Sequence, residues 1–320
     1  MAISALPTYT LPASKFLSSM TTFVNQLRFK DTLHTTKMVD NFVESCRVGK
    51  VDTGKGIVFT FKKDLQPVNN LSTTSSVLTI TPPQVAEEII EIDTYKVIPL
   101  SVSYTLIADA VPQGSLIDTW LNYLYSILED TQKFHLFDVL IGELLVWTPT
   151  QATQTILINQ IDTSSLTGAD LQASLQWNAN EIARVVRLTL NNLQYKSAKY
   201  TDVATTVTAI DPDQTRLIFN DNYYTNFLSD AMASLYHSEK VGEMLDGPSK
   251  SILSKDLFSN QPTTIGFLMD VDKLALADYY KLQMSFTDAS TLYTNSFLHF
   301  AYGKGIFQNA VGIKFVANLI

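Results

Sequence analysis

Glu87, Glu88, Glu91 and Asp93 bring four carboxylates together on one short stretch of the chain. Paired carboxylates can work as general acid and base when their surroundings hold one protonated and the other ionised. That chemistry needs a nucleophile, a metal or an enclosing cleft, and the remaining residues supply no sign of one. His34, His135, His237 and His299 are scattered, with no H-E-x-x-H and no Cys/His spacing suited to zinc. Cys46 is the single cysteine, so the chain has no intrachain disulfide framework, and it reads as a small buried or half-buried thiol. Gly54-Lys55-Gly56 and Gly303-Lys304-Gly305 lack the G-x-x-x-x-G-K-[ST] run that cradles phosphate and read as turns. There is no G-x-S-x-G nucleophile elbow. Asp211-Pro212-Asp213 and Asp270-Val271-Asp272 offer weak cation ligands without EF-hand spacing. The sequence therefore points to no catalytic, cofactor or metal site. A solvated or interface-facing edge is the better reading of the carboxylates.

The elements that carry those carboxylates explain why. Ile57, Phe59 and Phe61 alternate with Val58, Thr60 and Lys62, the period of a half-buried strand. A second alternation sets Ile98, Leu100, Val102, Tyr104 and Leu106 against Pro99, Ser101, Ser103 and Thr105. Between them the polar run 69–76, which opens with Asn69-Asn70, has the character of a ribbon tip. The expectation is a long two-stranded ribbon with the acidic cluster on its returning limb. Limbs on the order of twenty residues would reach up to ~60 Å, whereas a compact chain of this length has a radius of gyration of roughly 20 Å. Such an arm has to lie on a neighbour.

The ribbon runs into a long helix, predicted from Ser115 to about Val146. Ser115 is its expected cap with Asp118 three residues on, Pro112 breaks the preceding segment, and no proline intervenes before Pro149. Asp118, Asn122, Ser126, Glu129 and Lys133 form one polar stripe. Leu116, Trp120, Leu124, Ile127, Leu128, Leu136, Leu140 and Leu144 fill the apolar side. About thirty residues at ~1.5 Å each give a rod of roughly 45 Å.

Elsewhere the signals are shorter. Ser14 caps a predicted amphipathic helix with Phe16, Met20, Phe23 and Leu27 on one face, flanked by Lys15, Arg28 and Lys30; Met38, Phe42 and Val43 suggest another turn or two. Strands are expected at Thr155–Ile161, Thr215–Phe219 and Thr264–Met269, weakly at Val203–Ile210, and across Ile313, Phe315 and Ala317. Helices are expected from Gly168 to about Tyr195, after Asn220 or Asp221 with Phe227, Leu228, Met232 and Leu235, and as a turn at Leu274–Ala277.

With 46% hydrophobic and 17% charged residues, the 320-residue chain has ample material for a core and an uncharged surface suited to meeting other protein. A net charge of −8 and a pI near 5.0 argue against a protein drawn to nucleic acid by its overall field. No signal peptide is read at the N-terminus. The most apolar run, Leu136 to Trp147, holds Asp138 and Glu143 and is too short to span a bilayer, so the expectation is a soluble protein made in a cytoplasm.

The order of arm, ribbon, long helix, mixed lobe and returning strand resembles the major capsid protein of tailed bacteriophages, the Hong Kong 97-type fold. The stretch Lys96 to Ala110 resembles the family's strand that leads into its spine helix, and Phe300 to Ile320 resembles its return into the peripheral lobe. The resemblance implies an α+β fold. Its parts would be an N-terminal arm at 1–50, an extended β-ribbon loop at 51–110, a spine helix and peripheral lobe at 111–200, an axial lobe at 201–290, and a return strand at 291–320. It implies a structural, non-enzymatic head protein of the virion, assembled in the host cytoplasm. Copies would form pentamers and hexamers of an icosahedral shell around double-stranded DNA. The partners implied are further copies of itself, scaffolding and portal proteins, decoration proteins and the packaged DNA, with no cofactor and no membrane. Strands that project from the body need a defined partner. Lys62, Lys63, Asp64, Asn69, Asn70, Glu87, Glu88, Glu91 and Asp93 are accordingly the expected inter-subunit contacts. Competing readings are an encapsulin-type compartment with the same fold, a tail or fibre component, and a soluble enzyme on an α+β scaffold.

Overall fold

The computed structural model describes residues 36–50, 56–62, 82, 84–103, 114–223, 248–288 and 293–320, with backbone alone at 50, 62, 102–103, 114–124 and 287. The predicted arm helix at Phe16–Leu27, the ribbon tip, Gly54-Lys55, Tyr104–Leu106 and the helix through Phe227–Leu235 lie outside these residues. In chain order the elements are α1 (Lys37–Cys46), β1 (Arg47–Lys50), β2 (Gly56–Lys62), β3 (Val85–Glu91), β4 (Thr94–Ser103), α2 (Gly114–Val146), β5 (Thr155–Gln160), α3 (Gly168–Leu193), β6 (Thr215–Asn220), β7 (Ser249–Leu253), β8 (Thr264–Asp270), β9 (Leu274–Asp288), β10 (Tyr293–Ile306) and β11 (Gly312–Leu319). The chain divides into two compact units. One comprises residues 1–40, 93–138 and 279–302; the other comprises 41–92, 139–278 and 303–320.

In the first unit β4 runs antiparallel to β10, from Tyr293 opposite Ser103 to Tyr302 opposite Thr94, and β9 flanks β10 on its other side. Alternate residues of β10 separate the two faces. Ser296, Leu298, Phe300 and Tyr302 are buried, and His135 of α2 packs edge-on against Phe300 and Tyr302 with its Nε2 3.0 Å from the Tyr302 hydroxyl. This histidine is a packing residue. Two ion pairs, the exposed Lys281–Glu129 at 2.7 Å and the half-buried Lys133–Asp40 at 3.1 Å, tie α2 to β9 and α1. The 33-residue α2 answers to the helix expected from Ser115, although it starts at Gly114 and so takes Ser115 into its first turn. On its apolar side Leu128, Leu136, Leu140 and Leu144 are buried, whereas Ile127 is exposed.

The second unit is built on a mixed sheet in the order β5-β11-β8-β6-β7, parallel at both margins and antiparallel within. Helix α3 buries Ala179, Ile182, Val186, Leu190 and Leu193 against Ile158, Leu217, Phe219, Ile313 and Phe315. Each of the larger side chains contributes about 1.5–3 kcal/mol of transfer free energy on full burial. The Asn178 side chain closes the β5 end, accepting from the Ile161 N–H at 2.7 Å and donating to its carbonyl at 3.0 Å. All six residues of β6 are buried, including Arg216 at 1% exposure.

That arginine pins α1 to the sheet. Its guanidinium donates to the Ser45 carbonyl at 2.5 Å and to Cys46 Sγ at 2.7 Å, and lies over the Phe42 ring. A cation at a helix C-terminus meets the carbonyls left without helical partners. Cys46 is the buried thiol expected from sequence, its pKa raised by burial against the opposing pull of Arg216. A second buried charge sits at Lys273. Its Nζ meets Asp202 Oδ2 at 2.6 Å and the Ala310 carbonyl at 3.0 Å, beneath the Trp147 ring. Trp147 Nε1 donates to the same carboxylate at 3.2 Å. Gly312 makes this junction possible, because a Cβ there would lie 2.8 Å from Lys273 Cε and 2.9 Å from the indole.

Four expectations need correction. The strand leading to α2 does not pair with Ile57–Phe61; it pairs with β10, while the ribbon partner of β2 is β3. Leu274–Ala277 is strand rather than helix: Leu and Ala favour helix locally, but all four side chains are buried at 1% exposure or less, so tertiary packing overrides propensity. Gly303-Lys304-Gly305 lies inside β10 instead of forming a turn. Val203–Ile210 forms no strand and contributes one isolated bridge, Ser197 to Thr208.

Candidate assembly interface

The ribbon root is an antiparallel pair in which Gly56 stands opposite Glu91 and Lys62 opposite Val85. Directly opposed residues share a face, so the two faces can be read from the register. One holds Ile57, Phe59 and Phe61 with Ala86, Glu88 and Ile90. The other holds Val58 and Thr60 with Val85, Glu87, Ile89 and Glu91.

The first face is closed against the chain's own body. Phe59 and Phe61 pack on Phe307 with ring centroids at 4.4 and 5.6 Å, and Ile90 is 3% exposed. Glu88 lies on this face, half-buried. One carboxylate oxygen accepts the Gln308 N–H at 2.8 Å; the other accepts the Asn309 N–H at 2.8 Å and the Asn309 side-chain amide. Asn309 in turn accepts from the Thr206 hydroxyl. Three N–H groups converging on one carboxylate make charge-assisted bonds, about twice the strength of neutral ones. Gly56 and Gly303 permit the close packing at this root, since a Cβ on either would fall within 2.4 Å of a carbonyl oxygen of Ile90 or Glu91.

The second face is open. Val58, Val85 and Ile89 are 55%, 50% and 59% exposed, with Glu87 and Glu91 exposed beside Ile89. The acidic cluster therefore splits along the strand: Glu87 and Glu91 point outward, Glu88 inward. Asp93 follows the strand, exposed, and accepts from the Thr94 hydroxyl at 2.8 Å. Lys62 ends β2 at the distal edge of the described pairing, while Lys63, Asp64, Asn69 and Asn70 lie outside the described residues. Sequence reasoning missed Phe307, Gln308 and Asn309, which hold the root; the parity of Ala86, Glu88 and Ile90 was the available signal. Among the described residues no group of His, Cys, Asp and Glu is arranged to hold a metal. No described helix is long and apolar enough to cross a membrane.

The sequence and the fold were compared with known proteins. A model of the Phi29-like phage major capsid protein family matches residues 75–314. No curated protein matches the sequence. Among solved structures, a chain of the capsid of Staphylococcus phage Andhra superposes with a TM-score of 0.61 at 12% identity, covering 91% of this chain and 88% of that one. A chain of the capsid of Cyanophage P-SCSP1u gives 0.55 at 12% identity, with 92% and 91% covered. At such identities the likeness is one of fold: mixed α/β, similar to Hong Kong 97-type phage capsid proteins.

Proposed function

This chain belongs to the Phi29-like phage major capsid protein family, and on that premise we propose how its parts build the shell. As a member it is a structural capsid protein rather than an enzyme, its copies assemble into the capsid, and it is a component of the virion. In our reading the copies form pentameric and hexameric rings about an axial lobe at 201–290. The loop at 51–110 and the arm at 1–50 clasp adjacent copies, with α2 as the spine of a peripheral lobe at 111–200 that the return strand at 291–320 completes. Glu87, Glu91, Asp93, Lys62, Lys63, Asp64, Asn69 and Asn70 meet the neighbour, whereas Glu88 is committed within its own chain. Assembly takes place in the host cytoplasm with scaffolding and portal proteins. Decoration proteins are added outside, and the shell encloses double-stranded DNA. The net charge of −8 is compatible with this content, because packaged DNA is neutralised largely by counterions.

One observation carries the reading. The ribbon root is sealed on one face by Phe307 and Asn309 and presents Val58, Val85 and Ile89 on the other. An exposed apolar strand pair invites uncontrolled edge pairing unless a partner covers it. In a closed shell, where heterologous contacts close around rotation axes, every copy supplies that partner to the next. Electron microscopy with sedimentation on the intact chain and on a variant lacking Val68–Ser76 tests this. Closed particles or ring-shaped capsomers from the intact chain, lost on the deletion, are expected. A stable monomer indifferent to the deletion, even with scaffolding protein supplied, sinks the clasp.

A further inference from the structure

Helix α3 turns a second kind of surface outward. Trp177, Arg184 and Leu188 recur at the i, i+7, i+11 spacing of one helix face, opposite the buried Ile182, Val186 and Leu193. Trp177 is 41% exposed and Leu188 52%. Arg184 is held by Glu181 in a two-pronged contact at 2.6 and 2.8 Å. Arg187, exposed at the margin of the stripe, makes no ion pair among the described residues. From Trp177 to Leu188 the face thus combines an aromatic, an aliphatic and two guanidiniums with one carboxylate, while Asp170 stands exposed two turns nearer the helix start. Trp and Arg are the residue types in which binding energy concentrates.

The open ribbon face has the complementary make-up. Val58, Val85 and Ile89 form an apolar centre, and Glu87 and Glu91 stand on either side of Ile89. From Val85 to Glu91 the strand extends roughly 20 Å at ~3.4 Å per residue. From Trp177 to Leu188 the helix extends roughly 16 Å at ~1.5 Å per residue.

A rival receptor is the open sheet face of the other unit, where Tyr95, Val97, Leu282, Met284 and Phe286 are each 48–61% exposed. That face exposes more apolar side chains. No Lys or Arg falls on it among the described residues, however, and by strand parity Asp288 continues its β9 row, so covering it with the ribbon would take Glu87 and Glu91 from water without a cation to meet them. Charge complementarity selects the helix.

We propose that the open ribbon face of one copy docks on the Trp177–Arg184–Leu188 face of α3 in a second copy. This rests on the ribbon being the inter-subunit clasp. The test is charge reversal read by particle yield in sedimentation and electron microscopy, with circular dichroism on each variant. Glu87→Arg with Glu91→Arg, and separately Arg184→Glu with Arg187→Glu, should each lower the yield by about tenfold; all four changes in one chain should restore it to within about twofold. Recovery in the combined variant cannot come from misfolding. If the arginine reversals assemble normally, or the combination does no better than its halves, docking on α3 is overturned. Ile89→Asp separates the two levels. Loss of particles with Ile89→Asp but not with the arginine reversals leaves the clasp standing and moves the dock, to the sheet face if Met284→Glu also abolishes assembly. Normal assembly of both Ile89→Asp and the glutamate reversals overturns the clasp itself.

Discussion

Glu88 and Asn309 lie 221 residues apart in the chain and are joined twice, once through the Asn309 backbone N–H at 2.8 Å and once through its side-chain amide. The same carboxylate takes the Gln308 N–H. A single glutamate thus ties the β2–β3 pair to the connection between β10 and β11. Its neighbours Glu87 and Glu91 face away and remain available to other molecules.

Removing that glutamate should loosen the root without removing the ribbon. Glu88→Ala leaves two backbone N–H groups short of a partner, a loss of about 1–3 kcal/mol for a buried polar group; the half-buried site places the expectation in the lower part of that range. The midpoint of chemical denaturation should fall, and amide exchange should accelerate first at Phe59, Phe61 and Asn309. Glu87→Ala, a change on the open face, should leave the midpoint within about 0.5 kcal/mol of wild type. Equal effects from the two would contradict the division of the cluster into inward and outward members.

Two glycines predict opposite signs for the same substitution. At Gly303 a Cβ would sit 2.3 Å from the Glu91 carbonyl oxygen and 2.9 Å from its carbon, so Gly303→Ala must push β10 off the ribbon root. Overpacking of this kind costs about 1–3 kcal/mol. At Gly142, within α2, a Cβ meets nothing within 4 Å. Gly142→Ala should therefore stabilise by about 0.5–1 kcal/mol, the helix-interior difference between the two residues. Thermal melts of both variants check the pair; destabilisation by Gly142→Ala would mean that α2 is not helical there in solution.

These contrasts show where the sequence was informative. Period-two burial at Ile57–Phe61 and Ile98–Ser101, and period-3.6 burial along α2 and α3, are local properties, and the corresponding elements stand where the spacing put them. Partner choice is not local. β3 and β4 both alternate, yet β3 pairs back on β2 while β4 pairs with β10, nearly two hundred residues downstream, as the Ser101–Asn295 bond illustrates with a separation of 194. Leu274–Ala277 misled for the related reason that a doubly buried strand has no alternation to display. Glu88 was grouped with its acidic neighbours by composition. Only its parity with Ala86 and Ile90 separates it, and the equally apolar Ile89 blurs that signal.

Asp270 gives the fold a calculable response to pH. Its carboxyl is half-buried at the end of β8, and burial raises its pKa above the usual carboxylate range. The Asp272 N–H bond at 3.1 Å and the cations Lys273 and Arg216 pull it down, and the Asp272 charge pushes it up, each by less than burial does. A carboxyl that holds its proton more tightly when folded stabilises the fold fully below its unfolded pKa, and that contribution is lost as pH rises through the folded value. Asp270→Asn keeps an oxygen to accept the Asp272 N–H and has no charge to desolvate. The variant should therefore be more stable than wild type at pH 7, and its advantage should shrink as pH falls from the folded pKa toward 4. Paired melts from pH 4 to 7 measure that difference directly, with the other carboxylates cancelling between the two proteins. A variant less stable than wild type at pH 7 would mean that attraction to Arg216 and Lys273 outweighs the burial of the charge.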